Sequence, residues 1–156
     1  MNDNIIPDNK MAAIFMIGPP ASGKSTWGKS FAQKVGATYI SSDELRAKLG
    51  SGEADQSVNS QVFAIAAQKF QRALSQGKHV VIDATNIDKD ARKTFMKPAK
   101  EHRAYTIAVA FEVPREELIK RDAARPRTVG PEVIDKFLNR YKRPVVGDEF
   151  DKVVIK

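Results

Sequence analysis

The sequence predicts an α/β fold: a parallel sheet of four to five strands between two layers of helices. Three observations predict it. Short apolar runs alternate with longer stretches of helical periodicity, the order of crossover units whose strands run parallel. Val80-Val81-Ile82 is an unbroken apolar run, as expected of a strand covered on both faces. An apolar run over residues 11–17 passes directly into Gly18-x-x-x-x-Gly23-Lys24-Ser25 and then into a helical pattern, the strand–loop–helix setting of a phosphate-binding loop.

The elements follow in order. Residues 1–10 are polar around Pro7 and read as a loose N-terminal arm, and residues 11–17 are the first strand. A helix over 24–35 sets Trp27, Phe31 and Val35 on one face, and Gly36 ends it. Residues 38–40 are a short second strand; Ser41-Ser42-Asp43 then signals a short helix reaching residue 49. Residues 50–57 are the expected mobile loop. A helix over 58–75 carries Phe63, Ala66, Ala67, Phe70 and Leu74 on its core stripe, and Gly77 stops it. After a third strand at 80–83, Asp88 caps a helix to residue 101, which Pro98 should kink or shorten. A fourth strand covers 105–113, and Pro114 opens a helix to 124. Residues 125–130 are irregular and basic, a lid loop by composition; Pro131 opens a last helix with Ile134, Phe137, Leu138 and Tyr141 inward. Residues 150–155 end as a short edge strand. With no repeat, linker or low-complexity tract, one domain is expected over 1–156.

The loop's residue types follow from what a triphosphate requires. Backbone N–H groups must turn inward, and Gly18 and Gly23 let the chain curl around Ala21 and Ser22. The next helix begins at Lys24-Ser25-Thr26 and presents further unsatisfied N–H donors. Lys24 places an ammonium on the transferred phosphoryl oxygens, and Ser25 offers a hydroxyl to Mg²⁺. The fold expected is therefore the three-layer P-loop NTPase fold with ATP as ligand.

Composition narrows the rest. The absence of cysteine excludes a disulfide framework, a zinc-thiolate site and a thiol nucleophile. His79 and His102 are isolated, which argues for surface positions and against a histidine-ligated metal. No apolar run approaches the roughly 20 residues of a membrane span, and the N-terminus lacks signal-peptide features, so a cytoplasmic protein without membrane contact is expected. Net charge is +7, and residues 88–156 hold 17 Lys and Arg against 12 Asp and Glu. Such an excess suits a polyanionic partner or a solubilising surface alike.

Ligands of such sheets lie outside the carboxyl ends of the strands, which gathers the loop, Asp43 and the turn Asp83-Ala84-Thr85-Asn86. Asp43 and Arg46 share a helix face. They read either as a base for an attacking hydroxyl with an arginine for an acceptor phosphate, or as a helix cap beside a solvated arginine; spacing alone favours the cap. Asp83 ends a buried strand, where a carboxylate steers Mg²⁺. Lys120, Arg121, Arg125 and Arg127 precede the last helix, placed either to neutralise charge from a lid or as an exposed basic turn.

Together Gly18-Pro-Pro-Ala-Ser-Gly-Lys-Ser-Thr-Trp27, Ser42-Asp43-Glu-Leu-Arg46, Val81-Ile-Asp83-Ala-Thr85-Asn86 and Val113-Pro-Arg-Glu-Glu-Leu-Ile-Lys-Arg121 resemble, in order and spacing, the kinase domain of phage-type polynucleotide 5′-kinases, over about residues 11–143. The resemblance implies transfer of the γ-phosphate of ATP to 5′-hydroxyl ends of DNA or RNA, as in nucleic acid repair. It implies Asp43 as general base and Arg46 on the acceptor's 3′-phosphate. Thr85, in its Asp83-x-Thr85-Asn86 motif, assists on the acceptor side, and Arg125 is the lid arginine, with Arg127 a second candidate. Arg121 lies near the nucleotide base, and Lys24, Ser25 and Asp83 serve the donor phosphates and Mg²⁺. The family's phosphatase motif, Asp-x-Asp-x-Thr, is absent from the chain. Two other classes fit the loop: a kinase of a nucleoside, metabolite or antibiotic, and a non-enzymatic, nucleotide-gated nucleic-acid-binding module.

Overall fold

The structure is a computed structural model that describes residues 4–50, 52, 56–147 and 149–156. Five strands form one sheet: β1 (Ala12–Ile17), β2 (Thr38–Ser41), β3 (Val80–Asp83), β4 (Tyr105–Ala110) and β5 (Lys152–Ile155), in the order β2-β3-β1-β4-β5. Every pairing is parallel, with Ile14 facing Val81 on one side and Ile107 on the other. The helices are α1 (Lys24–Val35), α2 (Ser42–Leu49), α3 (Asn59–Ser75), α4 (Lys89–Glu101), α5 (Arg115–Ala123) and α6 (Pro131–Arg140), with a 3₁₀ turn at Gln56–Val58.

Strand alternation sorts the core into two layers. Ala13, Phe15 and Ile17 point with Ile82 toward Val62, Ala66 and Phe70 of α3 and Phe95 of α4. Ala12, Ile14 and Met16 point with Val81 and Val109 toward Phe31 and Ala32 of α1. β1 is buried at all six positions, so its carboxyl end, and the loop that leaves it, sits on a fixed support between β3 and β4.

The expected elements are present, with local differences. The ladder between β1 and β4 ends at Ile17 opposite Ala110, so β4 stops short of residue 113. Pro114 precedes α5 rather than opening it. Pro98 lies inside α4, which continues to Glu101; its carbonyl still accepts from His102 at 3.0 Å, and the carbonyl it deprives of a donor belongs to exposed Thr94, within reach of water. Val62 and Ala73 join the buried stripe of α3. The N-terminal arm is less loose than expected, since Ile6 is buried against the α1 layer. His79 is half-buried, its Nδ1 accepting the Ala12 N–H at 3.0 Å. Of the expected mobile loop, residues 51 and 53–55 lie outside the described residues.

Candidate active site

β1 delivers the phosphate loop. A Cβ at Gly18 would lie 2.8 Å from Ser22 Oγ and 3.2 Å from Phe111 Cβ, so the loop closes on β4 only with glycine there. Ala21 and Gly23 take left-handed backbone angles, φ 68° and 91°. For alanine that conformation costs about 1 kcal/mol or more, strain of the kind kept where a backbone must present its N–H groups. Ser22 Oγ is buried without a hydrogen-bond partner.

Lys24, the first residue of α1, is buried, with Nζ 3.3 Å from Asp83 Oδ1. That oxygen makes no hydrogen bond of its own; the ammonium pairs with it off the hydrogen-bond direction. The other Asp83 oxygen accepts from the Tyr39 hydroxyl, which is bonded to the Ser25 side chain as well. Burial, then the neighbouring Asp83 carboxylate, raises the Tyr39 pKa far above the usual phenol value, so the phenol keeps its proton.

The cap of α2 is Ser41, whose Oγ accepts from Glu44 N at 3.3 Å. Asp43 is thereby released from the capping role that spacing favoured. Its Oδ1 instead accepts from Arg46 Nη1 at 2.6 Å. Arg46 is not solvated: it is buried, and its Nε donates to Asn59 Oδ1 of α3 at 2.8 Å.

Beyond β3, Thr85 is exposed, and its carbonyl accepts the Gly18 N–H at 3.3 Å. Asn86, at φ 47°, turns its amide onto the Met16 carbonyl at 2.8 Å. These bonds stitch the β3 turn to the loop beside it. Arg92 of α4 holds the same turn from behind, donating to the Asn86 carbonyl at 2.9 Å, to Glu149 at 2.8 Å and to the Lys142 carbonyl.

The basic segment folds around Asp122, which is buried and accepts from Val129 N, Gly130 N and Arg125 Nη2 at 3.0, 3.0 and 2.9 Å. Burial works against its charge, but the two N–H groups and the guanidinium outweigh it and hold the carboxyl below the usual range. Arg125 Nε is buried without a partner. Arg121 reaches the Ser22 carbonyl at 3.4 Å while paired with Glu117.

One cleft of about 960 Å³ is lined by Ala21, Ser22, Gly23, Lys24, Ser25 and Thr26 together with Asp43, Arg46, Thr85, Arg121, Arg125 and Arg127. Gly18, Asp83 and Asn86 do not line it. Asp83 stands beneath the floor through Lys24, and Asn86 is spent on β1. Sequence reasoning missed Tyr39, Asn59 and Arg92. Arg92 had a signal: it interrupts an apolar stripe with Phe95 and Ala99 three and seven residues on. Tyr39, inside an apolar strand of three residues, had none.

Among the described residues no three carboxylates or imidazoles gather into a metal site. A cation here would rest on the Ser25 hydroxyl, the Asp83 carboxylate and the oxygens of a bound phosphate, which is how Mg²⁺ is usually held at nucleotides. The unbonded Asp83 Oδ1 fits that use.

Sheet order, phosphate loop and the carboxylate–arginine pair on the same cleft define the class, a P-loop kinase. The chain belongs to the AAA domain family, whose model matches residues 14–144. It is 33% identical over 154 residues to a protein of Acanthamoeba polyphaga mimivirus named as a bifunctional polynucleotide phosphatase/kinase, covering 92% of this chain and 32% of that protein. It is 27% identical over 182 residues to a bifunctional polynucleotide kinase/RNA ligase of Autographa californica nuclear polyhedrosis virus, covering 99% of this chain and 26% of that one. The chain thus spans about a third and a quarter of these relatives' lengths. A chain in the structure of the Pnkp1/Rnl/Hen1 RNA repair complex superposes with a TM-score of 0.74 at 20% identity, over 90% of this chain and 46% of that one. Kinases of other substrates match as well, among them an L-seryl-tRNA(Sec) kinase of Methanococcus maripaludis and a UMP-CMP kinase of rice. Among the described residues no helix is long and apolar enough to cross a membrane.

Proposed function

We propose that the chain transfers the γ-phosphate of ATP to the 5′-hydroxyl of a DNA or RNA end. The observation that carries this reading is the Asp43–Arg46–Asn59 arrangement, which lines the same cleft as the phosphate loop. The names of the two viral relatives support it. The acceptor's 5′-oxygen attacks the γ-phosphorus, the bond to the β-phosphate oxygen breaks, and the hydroxyl proton passes to the Asp43 carboxylate. Lys24, Arg121 and Arg125 neutralise charge on the donor phosphates. Arg46, held by Asp43 and Asn59, presents its remaining donors to a phosphate on the acceptor. Mg²⁺, when bound, adds electrostatic stabilisation at the β,γ-oxygens.

The test is transfer of labelled phosphate from ATP to a 5′-hydroxyl oligonucleotide. Asp43→Asn should lose about 10²-fold or more in kcat; transfer at the parental rate would remove Asp43 from the chemistry. A free nucleoside should be a far poorer acceptor than its 3′-phosphorylated form. Equal rates on the two would assign a small-molecule kinase instead, because Arg46 would have no phosphate to hold.

A further inference from the structure

We infer that Tyr39 is the positioning residue that aims both Ser25 and Asp83 at the phosphate end of the cleft, and with them the divalent cation that accompanies the nucleotide. The inference rests on the kinase reading above and deepens it. Its basis is the direction of the hydrogen bonds. A phenol has one proton to give, and Tyr39 gives it to Asp83 Oδ2. Toward Ser25 it can then only accept. The Ser25 proton is thus committed inward, and the lone pairs of its oxygen are left facing the loop it belongs to. On the carboxylate the same bond engages Oδ2 and leaves Oδ1 with the Lys24 ammonium alone at 3.3 Å. One hydroxyl therefore sets which oxygen of two different side chains is offered to a cation.

Packing fixes the phenol in turn. The Tyr39 ring lies against the α1 layer of the core, its Cε1 3.4 Å from the position a Cβ would take on Gly28. The Lys29 ammonium stands 5.9 Å from the ring centroid on the solvent side. Side chains that orient ligating groups in this way contribute through metal affinity more than through contact with substrate.

The experiment is ADP binding by calorimetry across Mg²⁺ concentrations, for the parent chain, Tyr39→Phe, Ser25→Ala and the double variant. Tyr39→Phe keeps the ring, and a thermal melt checks its fold. The half-saturating Mg²⁺ concentration should rise about tenfold or more in Tyr39→Phe, while ADP affinity in EDTA changes by less than about threefold. The double variant should lose little beyond the larger single loss, because Tyr39 acts through Ser25. Single losses that multiply, an unaltered Mg²⁺ response, or an equal fall with and without Mg²⁺ would each overturn the inference. In the parent chain labelled with fluorotyrosine, only Tyr39 of the three tyrosines should shift its ¹⁹F resonance when Mg²⁺ joins the ADP complex; a silent Tyr39 signal overturns it independently of any variant's folding. A parent chain that binds no ADP would overturn the kinase reading itself. A parent with a normal Mg²⁺ response beside an unaltered Tyr39→Phe would remove Tyr39 alone.

Discussion

Arg92 exposes 1% of its surface and spends its donors on three segments far apart in sequence: the β3 turn at Asn86, the carbonyl after α6 at Lys142, and Glu149 near the chain's end. The Phe150 ring lies 6.0 Å from the guanidinium carbon. Removing one member of a buried ion pair strands the other charge, at a cost of about 3–5 kcal/mol. Arg92→Met should destabilise the fold by that amount in urea unfolding, and Arg92→Met with Glu149→Gln by less, since no charge is then stranded. The two arginines Arg46 and Arg92 show what was legible at this scale. Arg46 could be singled out because it sits three residues from a carboxylate on a short helix after a strand. That it is buried, and that Ser41 rather than Asp43 caps the helix, depends on α3 folding over it to supply Asn59. Such contacts join residues far apart in the chain, and local spacing carries no record of them.

Elements were legible wherever a period ran long enough. The first helix and the third strand have the limits their patterns predict, because Gly36 and the Gly77 turn punctuate them. The segment between α5 and α6 was legible only as basic and irregular. Its organisation comes from one buried carboxylate, Asp122, gathering Val129 N, Gly130 N and Arg125. Without it the turn loses its internal partners. Asp122→Ala should therefore quicken trypsin cleavage after Arg127 while leaving the sheet intact, read by limited proteolysis against circular dichroism. The pH dependence follows from the same contacts. The folded-state pKa of Asp122 lies below its ordinary value, so the unfolded chain binds this proton more readily. The stability Asp122 contributes is complete above the ordinary carboxylate pKa, about 3.9, and is lost as pH falls through the lower folded-state value. Acid melts of the parent should steepen in that window, and those of Asp122→Ala should be flatter.

For the molecule as a whole, the charge balance was legible from composition, but its placement was not. The net charge of +7 fits a solubilising surface as well as a polyanion site. The cleft favours the second use. Among the described residues Lys24, Arg46, Arg121, Arg125, Arg127 and Arg140 line it, and Asp43 is its one carboxylate. The acids that pair with these cations, Asp83, Glu117, Asp122 and Asp88, do not line it. The field inside the cleft is therefore positive at both the donor and the acceptor ends. Arg140 is the informative member: it belongs to α6, is 68% exposed, and makes only a 3.4 Å pair with Asp88, so it is not needed for the loop or for the Asp43–Arg46 pair. If a nucleic acid strand runs out of the cleft past α6, each phosphate it neutralises there releases counterions, and the logarithm of affinity falls with the logarithm of salt by about 0.7 per contact on single strands. Binding of a 5′-hydroxyl oligonucleotide should accordingly weaken steeply with salt, and Arg140→Ala should reduce that slope by about 0.7 with ADP affinity unchanged. A slope unaltered by the substitution would place the strand's exit elsewhere, and an affinity indifferent to salt would leave the positive cleft to the triphosphate alone.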